Sequence, residues 1–168
     1  ERAPRPAHFT NSVHNALAAQ VAIELHVTGL NSTPTQREIS FETALWHGAR
    51  ALALGQADLA LVGAADELNP NVLATGMRWG WWNEHTSPIR PFGNSLKRPQ
   101  RPLPGEGAVV IALGRPKNEP HPLAWVSGLR IGRWATLGEA RGDAATEARW
   151  IGETLAREGG SLEDVDLL

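Results

Sequence analysis

The stretch DLALVGAAD at residues 58–66 limits the possible folds more than any other feature of the chain. It is apolar, of strand length, and stands directly behind a helical pattern that Gly55 closes. Such a run reads as a fully buried strand of a parallel sheet, and helix, glycine, then buried strand is half of a βαβ unit. The helix before it covers residues 40–54. Leu45, Ala49, Leu52 and Ala53 share one face, Ser40 is the expected N-cap and Glu42 falls in the first turn.

The same reading extends in both directions. Residues 1–8 read as a loop. Residues 11–28 form a helix, with Val13, Leu17, Val21 and Leu25 at i, i+4 spacing and Ala16, Ala18, Ala19 and Ala22 between them. The small residues let another element pack close, and Gly29 stands where a C-cap is expected. Residues 31–36 are short and Thr-rich and permit a strand. Residues 69–104, rich in Trp and Pro, read as an irregular insertion or loop. A Gly-rich turn then leads into a second buried strand over residues 105–113. Residues 123–131 (LAWVSGLRI) look strand-like. Residues 143–157 form an amphipathic helix with Ala145, Ala148, Ile151 and Leu155 inside. Gly159 and Gly160 end it, and SLED at residues 161–164 reads as the capping box of a short turn. The order of elements is that of an α/β domain.

Composition closes off several classes of function. With 168 residues, 42% of them apolar and 20% charged, the chain is long enough and apolar enough to fold as one domain. A formal net charge of −2 gives no electrostatic case for nucleic acid or an anionic membrane. No apolar run reaches the roughly 20 residues of a membrane span. There is no cysteine, so no disulfide framework, no thiolate zinc site and no thiol nucleophile. That absence fits a cytoplasmic protein.

Single motifs identify little. Gly105-Glu106-Gly107 lacks the phosphate-loop spacing and precedes a strand, so a tight turn is the simpler reading. His14, His26 and His47 form no metal-binding pair on their helices, and no metal or other cofactor is expected. Ser12 and Ser40 lack a G-x-S-x-G elbow. Trp79, Trp81 and Trp82 either form an aromatic platform or, more simply, pack a loop onto its neighbour or onto a partner chain. The basic stretch at residues 97–101 is a solvated loop or a greeting for an acidic partner such as a carrier protein.

Their order along the chain says more. Residues 9–23 (FTNSVHNALAAQVAI) and 29–35 (GLNSTPT) resemble the helix and strand that lead into the active-site elbow of β-ketoacyl-acyl-carrier-protein synthases. Residues 49–67 (ARALALGQADLALVGAADE) are similar to that family's helix, its Gly-x-Ala-Asp turn and its central strand. Arg90-Pro91-Phe92 followed by GEGAVVI at 105–111 resembles its R-P-F and G-E-G-A segment, and LEDVDL at 162–167 the stretch before its first H-G-T motif. The implied fold is α/β, a partial thiolase-like α-β-α-β-α sandwich. It holds the latter part of the first half and the start of the second. Residues 1–168 then read as one synthase-like domain, incomplete because it stops before the family's histidine motifs.

The resemblance also implies where the chain departs from its model. Matching without gaps from Asn15 places the family's nucleophilic cysteine at Glu38, with Gln36, Ser40 and Phe41 around it in the elbow or substrate channel. A carboxylate is at ease at a helix N-terminus, but as a nucleophile it would give a mixed anhydride too labile to replace a thioester. Glu38 is therefore expected to be inactive. Cysteine-less chain-length factors look the same at this point, and SVHNA at residues 12–16 resembles those of aryl-polyene and type II polyketide clusters. The expected partners are an active ketosynthase subunit or a second copy, met through an edge containing Ser32, Thr33, Thr35 and Gln36, and an acyl carrier protein. The alternative is a residual enzyme, such as a malonyl-thioester decarboxylase, for which the histidines would be wanting.

Overall fold

The computed structural model describes residues 10, 12–82, 104–116, 121–132 and 144–165. In chain order the described elements are α1 (Ala16–Glu24), a 3-10 turn (Arg37–Ile39), α2 (Ser40–Ala53), β1 (Leu59–Asp66), α3 (Pro70–Arg78), β2 (Gly107–Gly114), α4 (Ala144–Arg157) and a second 3-10 turn (Leu162–Asp164). The Arg90-Pro91-Phe92 motif and the basic stretch at 97–101 lie outside the described residues. The chain divides into two compact units, residues 1–62 with 112–168 and residues 63–111.

β1 pairs with β2 in a two-stranded sheet. The contacts at the two ends of the ladder give its direction. Glu106, just before β2, accepts the backbone N–H of Leu68, just after β1. Arg115, just after β2, donates to the carbonyl of Ala57, just before β1. The start of one strand therefore stands beside the end of the other, and the pair is antiparallel. This corrects the parallel reading of 58–66.

Burial is corrected as well. In the first unit, α2 lies over one face of the ladder through Gly48. A Cβ there would stand 2.6 Å from Val62 Cγ2 and 3.3 Å from Leu113 Cδ1. Val62 is buried at this contact, and Ala51, Leu52 and Thr43 of α2 are buried as well. Leu59 and Leu61, predicted to be buried, are 62% and 42% exposed. Side chains alternate along a strand, so α2 can cover only the face that carries Ala60 and Val62. Val109 and Val110 of β2, in the second unit, are exposed too.

Helix ends follow one rule. Each of the four α-helices among the described residues closes in the same doubly bonded turn. At α1, His26 N–H donates to Ile23 O and Val27 N–H to Ala22 O. At α2 the same pair runs from Gly55 to Leu52 and from Gln56 to Ala51. α3 uses Gly80 and Trp81, and α4 uses Gly159 and Gly160. This is the Schellman arrangement, whose pivot needs positive φ. Gly55, Gly80 and Gly159 have φ of 72°, 68° and 78°, while His26 takes 54° without glycine's freedom. Helix α1 thus ends ahead of Gly29, the expected terminator.

Three further differences stand out. Residues 69–104 are not irregular at their start, because α3 occupies Pro70–Arg78. Asn69 caps it by accepting from the N–H groups of Asn71 and Val72, and Pro70 sits in the first turn, where no intrahelical donor is missed. Residues 123–131 form no strand. In α4, Ile151 and Leu155 are half-buried, but Ala145 and Ala148 are exposed. The capping box at Ser161 is present in full.

Candidate functional site

The candidate elbow is the turn between residues 31–36 and α2. Residues 31–36 carry no ladder bonds. Ser32, Thr33, Thr35 and Gln36 are all exposed there. The Asn31 side chain ties the segment back to α1 by donating to the carbonyl of Ala18 at 3.1 Å. On α1 itself the alanines at 16, 18, 19 and 22 are half-buried, while Leu17 and Val21 are exposed. The alanines thus carry the closer packing, because small residues allow the close approach, and the larger ones are left outside.

Glu38 is the central residue of the 3-10 turn Arg37–Ile39, immediately ahead of α2. The turn opens on Arg37, whose φ is 54°. A left-handed residue with a Cβ costs about 1–2 kcal/mol, so the surrounding bonds must hold it there. Ser40 supplies them. Its Oγ accepts the backbone N–H of Gln36 at 2.9 Å and donates to the carbonyl of Arg37 at 2.6 Å. The Ser40 N–H also donates to Arg37 O. Ser40 is therefore not the N-cap of α2, as the sequence suggested. It is the first helical residue, Ile39 is the cap, and no cap side chain bonds the helix start.

Behind the turn, buried Thr43 satisfies its hydroxyl by donating to Ile39 O at 2.8 Å. Phe41 is half-buried and Glu42 is exposed in the first turn of α2. Gln36, Glu38, Ser40 and Phe41 lie within the 3-10 turn and the residues that flank it. The structure adds Arg37, whose strain no sequence signal marked. No group of three or more His, Cys, Asp or Glu side chains among the described residues could hold a metal ion. No described helix is long and apolar enough to cross a membrane.

The Gly55-to-Asp58 turn is closed from β2. Arg115 donates to Ala57 O at 3.1 Å and lies 3.6 Å from the Asp58 carboxylate, which is largely in solvent. In the second unit, Trp82 donates its indole N–H to Leu73 O at 3.1 Å and packs into the notch left by Gly76. Trp81 meets Trp79 and Trp82 edge-on, with ring centroids 4.9 and 5.9 Å away. Trp82 thus folds the end of α3 back on itself, which favours the packing role over a platform for this ring.

A protein-family model described as beta-ketoacyl synthase, N-terminal domain, matches residues 1–118. Among solved structures, the chain is similar to one described as "The ishigamide ketosynthase/chain length factor", at 22% identity with a TM-score of 0.51. That match covers 70% of this chain and 29% of the other, so this chain spans under a third of its length. The likeness shows the fold: a partial thiolase-like α/β arrangement. No curated protein matches.

Proposed function

This chain belongs to the β-ketoacyl synthase family, and on that premise we propose that it is a non-catalytic, chain-length-factor-type partner of an active ketosynthase in fatty-acid or polyketide biosynthesis. One observation carries the reading: the turn at the head of α2, which we read as the elbow, stands in a sequence without a single cysteine. Condensation by this family runs through an acyl thioester on the enzyme. No residue here can form one, and Glu38 at the matching position would give only a labile anhydride. The name of the similar structure, which couples a ketosynthase with a chain length factor, supports the same assignment.

The partner face in this proposal is the exposed segment with Ser32, Thr33, Thr35 and Gln36. The backbone groups it offers a second strand are those of Ser32, Thr33 and Thr35, since both backbone groups of Gln36 are used within the turn. An acyl carrier protein would serve the active subunit. The SVHNA wording at residues 12–16 favours an aryl-polyene or type II polyketide setting. The test is sedimentation of the chain with and without a candidate ketosynthase, together with intact-mass analysis after exposure to an acyl-carrier thioester. Co-sedimentation without an acyl adduct is expected. A strict monomer that binds no synthase, or a stable adduct, overturns the proposal.

A further inference from the structure

We propose that Ser40 is a positioning residue whose hydroxyl clamps Arg37 in its left-handed conformation and so fixes where residue 38 stands in front of α2. The inference rests on reading this turn as the family's elbow, but not on which partner the chain has.

The geometry singles out Ser40. A serine at a helix start ordinarily turns its oxygen toward the N–H groups one turn ahead. Ser40 points the other way. Its single hydroxyl uses both of its capacities on the preceding turn, accepting from Gln36 N–H and donating to Arg37 O. Those two groups lie on either side of the Arg37 α-carbon, so the side chain closes a ring around the one strained residue of the elbow, at φ 54°. Ile39 N–H donates to Gln36 O at 3.3 Å within the same turn, a longer and weaker closure than the Ser40 bonds. Alanine at 40 would keep the helix residue and lose the clamp. Threonine would keep the hydroxyl.

The absence of cysteine makes the test clean, because Glu38→Cys creates the chain's single thiol. The measurement is the pH dependence of its alkylation by iodoacetamide, with Gly105→Cys as an exposed reference thiol in open space. Held at the head of a 14-residue helix, the thiol at 38 should titrate below the reference. Adding Ser40→Ala should move the profile toward the reference, slowing alkylation near neutral pH about two- to fivefold. Ser40→Thr should leave it in place. Arg37→Gly should reduce the effect of Ser40→Ala, since glycine holds positive φ without a clamp. A serine that merely stabilised the helix would show no such dependence on residue 37.

Two results overturn the proposal, and they differ in what else they touch. If Glu38→Cys titrates like the reference, the elbow reading falls with it. If that thiol is depressed but Ser40→Ala leaves the profile unchanged, the clamp alone falls. In the unaltered chain, amide exchange gives a check that needs no variant. The Gln36 N–H should exchange more slowly than its exposed neighbour at Thr35, and equal rates overturn the clamp.

Discussion

Glu106 accepts the backbone N–H of Leu68 at 3.3 Å, joining residues 38 apart in sequence across the open end of the β1–β2 ladder. The G-E-G segment is thus a strand entry whose central carboxylate holds the outgoing chain of the neighbouring strand. The bond is exposed, so its loss should cost less than about 1 kcal/mol. Glu106→Ala should speed exchange of the Leu68 amide while leaving global stability almost unchanged. Glu106→Gln, which keeps an acceptor, should protect that amide. Equal exchange in all three proteins would show that the carboxylate holds nothing.

Gly48 is the contact point of α2 with the sheet, and any side chain there meets Val62. Val62 is buried and β-branched, so it cannot swing aside. Gly48→Leu should therefore destabilise the fold by about 1–3 kcal/mol through overpacking, despite leucine's better helix propensity. Urea denaturation followed by far-UV circular dichroism reads this as a lower midpoint at constant slope. An unchanged midpoint would mean that α2 does not rest on Val62.

His26 pivots the end of α1 at φ 54°, a position the other described helices give to glycine. His26→Gly removes the Cβ penalty but adds unfolded-state entropy, and these two effects are of similar size. The net gain should be no more than about 1 kcal/mol. Thermal unfolding should show a small rise. A fall would indicate that the imidazole itself makes a stabilising contact.

Thr35→Pro tests the association face. Thr35 is exposed in a segment without ladder bonds, so proline removes a donor that the described chain does not use in a strand. The substitution should leave the chain folded, as judged by circular dichroism, and abolish assembly in sedimentation, because a paired edge needs that N–H. Assembly that survives Thr35→Pro would place the partner face elsewhere.

A thioester challenge of Glu38→Cys separates chemistry from geometry. The variant should take up acyl groups that the unaltered chain refuses, because the thiol would sit at a helix N-terminus. It should not synthesise a longer chain, since a thiol at 38 restores a nucleophile without adding a general acid or base beside it. Intact mass reads the first outcome and product analysis the second. Condensation by the variant alone would end the non-catalytic reading.

What the sequence determined by itself was local. The chain breaks at Gly55 and Gly159, the capping box at Ser161 and the helix over Ala144–Arg157 all follow from rules that act within one turn. So does α3, whose Asn69-Pro70 start was equally legible but was obscured by the Trp and Pro content around it. The family was readable too, through motifs that follow one another in its order. Tertiary structure decided the rest. The apolar run of β1 could not tell which face α2 would cover, because both faces carry aliphatic residues and Gly48 approaches only the side of Ala60 and Val62. Its antiparallel pairing rests on Leu68 meeting Glu106 and Arg115 meeting Ala57, contacts across tens of residues that no periodicity encodes. Ser40 looked like a helix cap by type and place. Only the left-handed turn at Arg37, which brings two backbone groups within reach of its hydroxyl, made it the clamp of the elbow instead.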